Sequence, residues 1–335
     1  NHNIDEQMTP SSMSKLMTIY VLLSKIGYGV INLDDKVQIS RKAWERKGSS
    51  MFLKIGQKVK YDDLLNGIVI VSGNDAAISV AEGISGTEDD FIEELNKSAK
   101  SLGLTHSHFK NSTGWPDDEH YMSVHDLLRL SLAIFDEFPD YWPRFAIKDL
   151  SFNGIKHNNT NDLLFKNLGV DGMKTGHTET GGYGLVASVI NDNGRRLFII
   201  VNGLKTNAQR VSEIIRLIKY GYNNYINELF YTKNQIITEI KTQDGAEDFL
   251  NLKTNDDIIV SRLIEDKLVT DSVKSLTLQK VVAPIEKNQY VADWTIYNKH
   301  GEAIKQIPLY ANEDLPRVKF FQLLIKKIKS IFTFQ

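Results

Sequence analysis

Apolar residues recur at helical spacing through the first two thirds of the chain. Between residues 12 and 26, one helical face would carry Leu16, Met17, Ile19, Tyr20 and Leu23. Similar patterns predict further helices at 74–83, 87–102, 123–135 and 207–226. Short apolar runs predict strands at 183–190 and 196–202. This pattern predicts an α/β (α+β) domain over residues 1–226, with an antiparallel sheet and flanking helices.

The pattern changes from about residue 228, where helical spacing gives way to short runs typical of strands. These runs lie at 236–240, 258–260, 276–282, 290–297 and 303–309. Asn298-Lys299-His300-Gly301 is a turn signal between the last two of them. We therefore expect a small all-β domain over 227–313, whose ligand stays open and whose role could be that of a spacer.

The last residues, 314–335, show a third pattern, in which apolar positions return at spacings of three and four. They are Val318, Phe321, Leu324, Ile325, Ile328, Ile331 and Phe332. From Pro316 onward there is no acidic residue, and the positive charges are Arg317, Lys319, Lys326, Lys327 and Lys329. A basic amphipathic helix of this kind is typical of attachment to an anionic membrane surface through 316–335. Packing against the β domain or a partner protein is the alternative.

Composition narrows the range of functions. The 335 residues are 41% hydrophobic, which suffices for about two domains with real cores. A net charge of −2 gives no case for nucleic acid binding. The absence of cysteine excludes disulfides and thiolate catalysis. No metal site is predicted, since the eight histidines lack ligand spacing and His106 and His108 suit a loop or strand better. No apolar run reaches the ~18–20 residues of a membrane-spanning helix.

Three short motifs carry the candidate chemistry. In chain order they are Ser12-Met13-Ser14-Lys15, Ser72-Gly73-Asn74 and Lys174-Thr175-Gly176. Each motif alone is weak, because Ser107-His108-Phe109-Lys110 and Ser151-Phe152-Asn153 have the same form. Their order and wide separation are specific, and they match the S-x-x-K, S-x-N and K-T-G set of serine acyl-transfer enzymes.

The first motif predicts a serine nucleophile whose base is a lysine. A serine hydroxyl needs a base within hydrogen-bond reach, and residues three apart share a helical face. Burial and the charge of Lys174 would lower the pKa of Lys15 so that it can accept a proton. Pro10 precedes the predicted helix and places Ser12 in its first turn. An ordinary amphipathic helix is the alternative interpretation of this motif taken alone.

The other two motifs have plainer alternatives as well. A strand with Lys174-Thr175-Gly176 at a cleft edge could bind an extended substrate, with Lys174 and Thr175 on its carboxylate and Gly176 allowing close approach. A loop lysine before a hairpin is the alternative. Ser72 and Asn74 lie between an apolar run and a predicted helix, where they could equally cap that helix.

With these motifs in place, the chain resembles the low-molecular-mass penicillin-binding proteins of the D-alanyl-D-alanine carboxypeptidase class, peptidase family S11. The matching stretches are 10–18, 71–77, 109–114, 152–156, 161–164 and 170–178, and the resemblance extends over essentially the whole chain. It implies a serine β-lactamase-like fold for the first domain. It also implies an initial sheet strand and a secretory signal before Asn1, so we expect the sequence to begin after both.

The resemblance also implies a role for each motif residue. Ser12 would be the acylated nucleophile, Lys15 its base, Ser72 and Lys174 the proton relay to the leaving amine, and Asn74 the contact to the acyl-side amide. Backbone N–H groups of Ser12 and His177 would form the oxyanion hole. Substrate binding would fall to Thr175, Gly176 and Arg210, where Arg210 could instead be a surface arginine.

The implied function is removal of the terminal D-alanine from peptidoglycan pentapeptide stems through an acyl-serine, without a cofactor and with inhibition by β-lactam antibiotics. The implied location is the periplasm, peripherally attached to the inner membrane. A serine β-lactamase would need a deacylating glutamate in an E-x-x-L-N segment after the middle motif, which we do not find. A DD-endopeptidase and a weakly catalytic envelope scaffold stay open.

Overall fold

The computed structural model describes residues 3–265, 275–278, 281–297, 301 and 303–318. The chain divides into two compact units, residues 1–219 and residues 220–335. The division falls within the helix 207–224, before the predicted boundary at 226/227.

The helices of the described residues are α1 Lys15–Gly27, α2 Arg41–Glu45, α3 Tyr61–Asn66, α4 Asn74–Ser85, α5 Glu88–Ser101, α6 Val124–Glu137 and α7 Asn207–Asn224. Short 3-10 turns lie at Ser11–Ser14, Pro139–Ala146 and Asp162–Phe165, and a π-helical turn at Gly67–Val71. The predicted helices are therefore present. The first begins later than expected, at Lys15, and the last ends at Asn224 because a strand starts at Tyr225.

The strands of the first unit are β1 Lys36–Gln38, β2 Lys58–Lys60, β3 Asp149–Phe152, β4 Ile155–Asn158, β5 Val170–Thr178, β6 Gly182–Ile190 and β7 Arg196–Leu204. Strands β5, β6 and β7 form an antiparallel sheet in that order, with Lys174 opposite Val186 and Gly176 opposite Gly184. The two other pairs, β1 with β2 and β3 with β4, form small two-stranded sheets. The antiparallel α/β prediction is confirmed.

Helix α1 lies at the centre of the core of the first unit. Every residue from Lys15 to Leu23 is buried, so this helix does not have the single apolar face that the spacing predicted. Apolar side chains from α4, α5 and α6 pack around it. A lysine at the start of such a helix is withdrawn from water, which sets up the chemistry of the site.

The second unit is rich in strands, as predicted. Its strands are β8 Tyr225–Tyr231, β9 Ile236–Lys241, β10 Phe249–Lys253, β11 Ile258–Leu263, β12 Ser275–Leu278, β13 Tyr290–Tyr297 and β14 Ala303–Ala311. Strands β12, β13, β14, β10 and β9 form one sheet in that order, and β11 pairs with β8. Leu250, Leu252, Ile307 and Leu309 lie in its apolar core. Strands β8 and β10 were missed by the sequence analysis.

The predicted tail helix does not begin at Pro316. Leu315 forms a bridge with Ile285, and Arg317 forms a bridge with Gly245, so this segment is extended along the second unit. The remainder of the predicted helix, 319–335, lies outside the described residues, as does most of the predicted turn at 298–301.

Candidate active site

The first motif forms a tight turn that brings Ser12 and Lys15 together. Ser12 lies in the 3-10 turn Ser11–Ser14, and Lys15 is the first residue of α1. The ammonium Nζ of Lys15 lies 2.8 Å from Ser12 Oγ. Ser12 is half-buried, whereas the Lys15 side chain is fully buried. The arrangement places a nucleophile and a base within hydrogen-bond distance.

Two further acceptors surround the Lys15 amine. Nζ donates to Asn74 Oδ1 at 2.7 Å and to the carbonyl oxygen of Thr113 at 2.5 Å. Burial, and then the positive charges of Lys174 and Arg46, hold the pKa of Lys15 well below its usual range. The amine is therefore readily present in its neutral form.

The second motif stands at the junction between a π-helical turn and α4. Ser72 has a left-handed backbone, with φ of 62°, and its buried Oγ has no hydrogen-bond partner among the described residues. Asn74 uses its amide on two sides, because Nδ2 donates to the carbonyl oxygen of Lys47 at 2.8 Å while Oδ1 accepts from Lys15. Neither side chain caps α4, so the capping alternative is wrong.

Asp75 fixes the segment that follows Lys47. Its carboxylate accepts hydrogen bonds from Ser50 Oγ at 2.6 Å and from the backbone N–H groups of Met51 and Leu53, each at 3.1 Å. The segment that holds Asn74 is thus tied to the start of α4. The carboxylate also opposes the lowered pKa of Lys15, as the weakest of the four influences on that pKa.

The third motif lies on β5 beside the Ser12 turn. Lys174 is fully buried, and its Nζ donates to the carbonyl oxygen of Thr175 at 3.1 Å. Burial, and then the charge of Arg210, lower the pKa of Lys174 to about 7. The hydroxyl groups of Thr175 and Thr160 lie 2.8 Å apart. The alternative of a loop lysine is wrong, since Lys174 lies on β5, an edge strand of its sheet that contacts the nucleophile turn.

Gly176 allows β5 to approach that turn. A Cβ at this position would lie 2.9 Å from the carbonyl oxygen of Pro10 and 3.2 Å from Cβ of Ser11. The next residue, His177, is exposed, and its ring stacks on Tyr183 with a centroid separation of 3.8 Å. The backbone of His177 therefore comes directly after Gly176, where the strand lies close against the turn.

Arg210 reaches the sheet from α7. Only 6% of the residue is exposed, so the surface-arginine alternative is wrong. Its Nη1 lies 3.4 Å from the carbonyl oxygen of Gly184, its guanidinium lies 5.8 Å from the ring centre of Tyr183, and its buried Nε has no partner among the described residues. Neither Arg210 nor Lys174 makes an ion pair within the described part of the chain, which leaves two neighbouring cations without a contacting carboxylate.

Sequence reasoning missed two features of this site. The first is the carbonyl oxygen of Thr113, a backbone group that no residue type could reveal, although its segment was singled out in 109–114. The second is Arg46, which lowers the pKa of Lys15 and stacks on Trp115 at 4.4 Å. No motif contains Arg46, and its position among other charged residues of α2 gave no signal.

Other chemistries find less support in the described residues. Within 3–265 and the later described stretches, no group of three His, Asp or Glu side chains could hold a metal ion. His106 and His108 instead contact Thr105 and the carbonyl oxygen of Glu119. Across the same stretches, no helix is both long and apolar enough to cross a membrane.

Comparison with known proteins gives the family of both units. Residues 1–206 match the D-alanyl-D-alanine carboxypeptidase family (peptidase S11), and residues 225–317 match the C-terminal domain of penicillin-binding protein 5. D-alanyl-D-alanine carboxypeptidase DacF of Bacillus subtilis is 32% identical over 330 residues, which cover 97% of this chain and 84% of that protein.

Solved structures agree with this result. Penicillin-binding protein 5 from Haemophilus influenzae matches with a TM-score of 0.84 and 31% identity, over 94% of this chain and 92% of that one. Penicillin-binding protein D2 from Listeria monocytogenes, solved in an ampicillin-bound form, matches with a TM-score of 0.60 and 28% identity, over 66% and 89% of the two chains. The chain thus belongs to the D-alanyl-D-alanine carboxypeptidase family and carries the C-terminal domain of penicillin-binding protein 5.

Proposed function

We propose that this protein is a serine D-alanyl-D-alanine carboxypeptidase that removes the terminal D-alanine from peptidoglycan pentapeptide stems. The observation that carries the proposal is the buried Lys15 amine, held between Ser12 Oγ, Asn74 Oδ1 and the carbonyl oxygen of Thr113. Its relatives bear the name of this activity. The relative solved in an ampicillin-bound form supports inhibition by β-lactams, which we expect to acylate Ser12 in this chain.

The hydrogen bonds of Lys15 support its role as the base. A neutral amine has two N–H bonds and one lone pair. When the N–H bonds point to Asn74 Oδ1 and the Thr113 carbonyl oxygen, the lone pair is left for the hydroxyl proton of Ser12. Ser12 Oγ can then attack the carbonyl carbon of the penultimate D-alanine while its proton passes to Lys15.

The remaining motif residues act on the tetrahedral intermediate. Backbone N–H groups of Ser12 and His177 stabilise the oxyanion. The C–N bond to the terminal D-alanine breaks, and a proton reaches the leaving amine through Ser72 and Lys174. The unsatisfied Ser72 Oγ supports this role, since a buried hydroxyl without a partner is costly unless substrate completes it. Water then hydrolyses the acyl-Ser12 ester, which releases the shortened peptide as a carboxylic acid and regenerates the Ser12 hydroxyl.

The leaving D-alanine carries a carboxylate. Lys174 and Arg210, which make no ion pair among the described residues, supply the positive charge to bind it. Lys174 and Thr175 bind it on β5, and Arg210 adds its positive charge from α7. Asn74 holds the acyl-side amide, because the described contacts use only one of the two N–H bonds of its Nδ2.

Release of D-alanine from a synthetic peptide that ends in D-Ala-D-Ala tests this function. We expect the wild-type protein to release one D-alanine per peptide, and Ser12→Ala to release none. Absence of release by the wild type would overturn the proposal. Preferential cleavage of a crosslinked dimer would instead identify an endopeptidase, and rapid turnover of penicillin would identify a β-lactamase.

We further propose that the protein works in the periplasm and that 316–335 attaches it to the anionic surface of the inner membrane. The support is the basic amphipathic pattern of this segment. Because Arg317 forms a bridge with Gly245 of the second unit, the test removes only the residues after it. Deletion of 319–335 should abolish sedimentation with anionic vesicles while leaving D-alanine release intact. Replacement of Lys326, Lys327 and Lys329 by Gln should weaken sedimentation in part. Undiminished sedimentation of the deletion variant would rule the attachment out.

A further inference from the structure

Arg46 is a cation that the reaction described above does not use. It follows α2 and is half-buried. Its guanidinium lies over the ring of Trp115, 4.4 Å from the ring centre. Its Nε is buried without a hydrogen-bond partner, and the described residues supply no ion pair to its guanidinium. A stacked arginine without an anion is an incomplete contact, because the N–H groups at its edge are left to bind a ligand.

The two segments that carry this pair also build the active site. The carbonyl oxygen of Lys47, next to Arg46, accepts from Asn74 Nδ2. The carbonyl oxygen of Thr113, two residues before Trp115, accepts from Lys15. Arg46 and Trp115 are thus connected by very short stretches of chain to the contacts that hold Asn74 and Lys15.

Gly48 shows how closely these groups lie together. A Cβ at this glycine would lie 2.8 Å from Asn74 Nδ2 and 3.1 Å from the Trp115 ring, and the residue has a φ of +90°. The segment that contains Arg46 therefore runs between the Trp115 ring and the amide of Asn74. The charge of Arg46 is also felt at the Lys15 amine, which agrees with a position beside the cleft.

The Trp115 ring is held in place and remains accessible. Asn111 Oδ1 accepts from the backbone N–H of Trp115 at 3.0 Å, and Asn111 Nδ2 donates to its carbonyl oxygen at 3.0 Å. Trp115 is 40% exposed. Two of the acidic residues that follow it have partners of their own, since Glu119 pairs with Lys110 and Asp117 accepts from a backbone N–H. Among the described residues, no carboxylate makes an ion pair with Arg46.

We propose that Arg46 and Trp115 form a subsite that binds a free carboxylate on the acyl-donor side of the scissile peptide bond. This proposal rests on the function proposed above, in which Asn74 holds the acyl-side amide. The ring fixes one face of the guanidinium, and its N–H edge presents the fork that suits a carboxylate. The exposed part of the ring covers the apolar portion of the donor residue.

Two matched peptides test the subsite. Both end in D-Ala-D-Ala, and they differ only in that one carries a free carboxylate on the donor side where the other carries the primary amide. We expect the wild-type protein to favour the carboxylate by about tenfold in kcat/KM, as charge-assisted hydrogen bonds would give. Arg46→Gln should bring the ratio close to one.

Two further variants and a control separate recognition from structure. Arg46→Lys keeps the charge but loses the stacked fork, and Trp115→Leu removes the platform, so each should retain only part of the preference. Arg41→Gln removes an exposed arginine that pairs with Glu45 on α2 and should keep the full ratio. Acylation by penicillin, which lacks the donor carboxylate, shows that each variant site is assembled.

The test uses the ratio of kcat/KM for the two peptides because Arg46 also lowers the pKa of Lys15. That effect changes kcat/KM for both peptides alike and cancels in the ratio. Equal kcat/KM values for both peptides with the wild type would overturn the subsite while leaving the carboxypeptidase function intact. An unchanged preference in Arg46→Gln would overturn it as well. Failure of the wild type to cleave either peptide would overturn the carboxypeptidase function, and the subsite with it.

Discussion

Lys15 combines three hydrogen-bond acceptors with complete burial, and we assign it the single role of proton acceptor. Lys15→Arg tests this role, because arginine keeps the positive charge and the donors but does not lose its proton in proteins. We expect acylation by penicillin to slow by about 10²–10⁴-fold, the usual contribution of a general base. The measurement is the rate of adduct formation by mass spectrometry. A rate within a few-fold of the wild type would mean that a cation alone suffices at this position.

The two lysines of the site predict the pH dependence of kcat/KM. Lys15 must be neutral, so the rate rises with pH as this residue loses its proton, at a pH well below the usual range for lysine. Lys174 must be charged to bind the carboxylate, so the rate falls above its pKa of about 7. We therefore expect a bell-shaped profile in D-alanine release.

Arg46→Gln should move the acid limb of that profile to higher pH. The reason is that loss of the Arg46 charge removes one of the influences that lower the pKa of Lys15. A profile without an acid limb would contradict Lys15 as the base, whereas a profile that stays flat above neutral pH would contradict the need for a charged Lys174.

Lys174 should make the folded state less stable at neutral pH. Its pKa is about 7 in the folded protein, against 10.5 for a lysine side chain in water, so the unfolded chain binds more protons between these limits. Stability of the wild type therefore gains from rising pH across this window. Lys174→Met should stabilise the protein at pH 7 by a few kcal/mol, because each pKa unit corresponds to ~1.4 kcal/mol. Thermal melts at pH 7 and pH 10 should show the gain shrinking; an equal gain at both would contradict the charge-based explanation.

At the residue scale, sequence alone identified groups whose chemistry lies in their type and spacing. Ser12 and Lys15 were predictable because three residues of helix-like chain bring them together. Only the structure could decide the alternatives for Asn74 and Arg210. An asparagine that caps a helix and one in an active site look the same in sequence, as do a surface arginine and a buried one. Arg46 was beyond reach, because its contact with Trp115 joins positions far apart in the chain.

At the level of elements, the site depends on how closely strand β5 lies against the turn Ser11–Ser14. Gly176→Ala should push the strand away from this turn, because a Cβ there would lie 2.9 Å from the backbone oxygen of Pro10. We expect at least a tenfold loss of acylation rate, in line with the sensitivity of catalysis to small displacements. Gly27→Ala is the control, since its Cβ would meet only a ring atom of Phe138 at 3.9 Å. Equal rates in both variants would contradict this role for Gly176.

Helices and strands whose own residues show a clear hydrophobic period were predicted well. Strands that are defined mainly by pairing with another strand were not. Helices α4 to α7 and strands β6 and β7 appear close to their predicted limits. The short strands β1 and β2 have three residues each, which is too few to show a period. The predicted helix 207–226 overlaps only the first two residues of β8, and the pairing of β8 with β11 fixes it as a strand.

At the scale of the whole molecule, two units with separate cores were predictable from the change in pattern near residue 228. The extended course at 315–317 was not, because a proline before an apolar periodic segment favours a helix start. The bridges to Ile285 and Gly245 override that preference. The first unit, residues 1–219, holds all of the motif residues. The role of Ser12 as the acylated nucleophile can therefore be tested on the full chain without knowledge of the role of the second unit.

The most direct test of that claim is the intact mass of the full chain over time after addition of a penicillin. We expect the mass to increase by that of the drug, with the adduct located on Ser12 by peptide mapping and lasting for minutes or longer. Ser12→Ala should show no increase. An adduct on another residue, or persistence of the adduct in Ser12→Ala, would contradict Ser12 as the nucleophile.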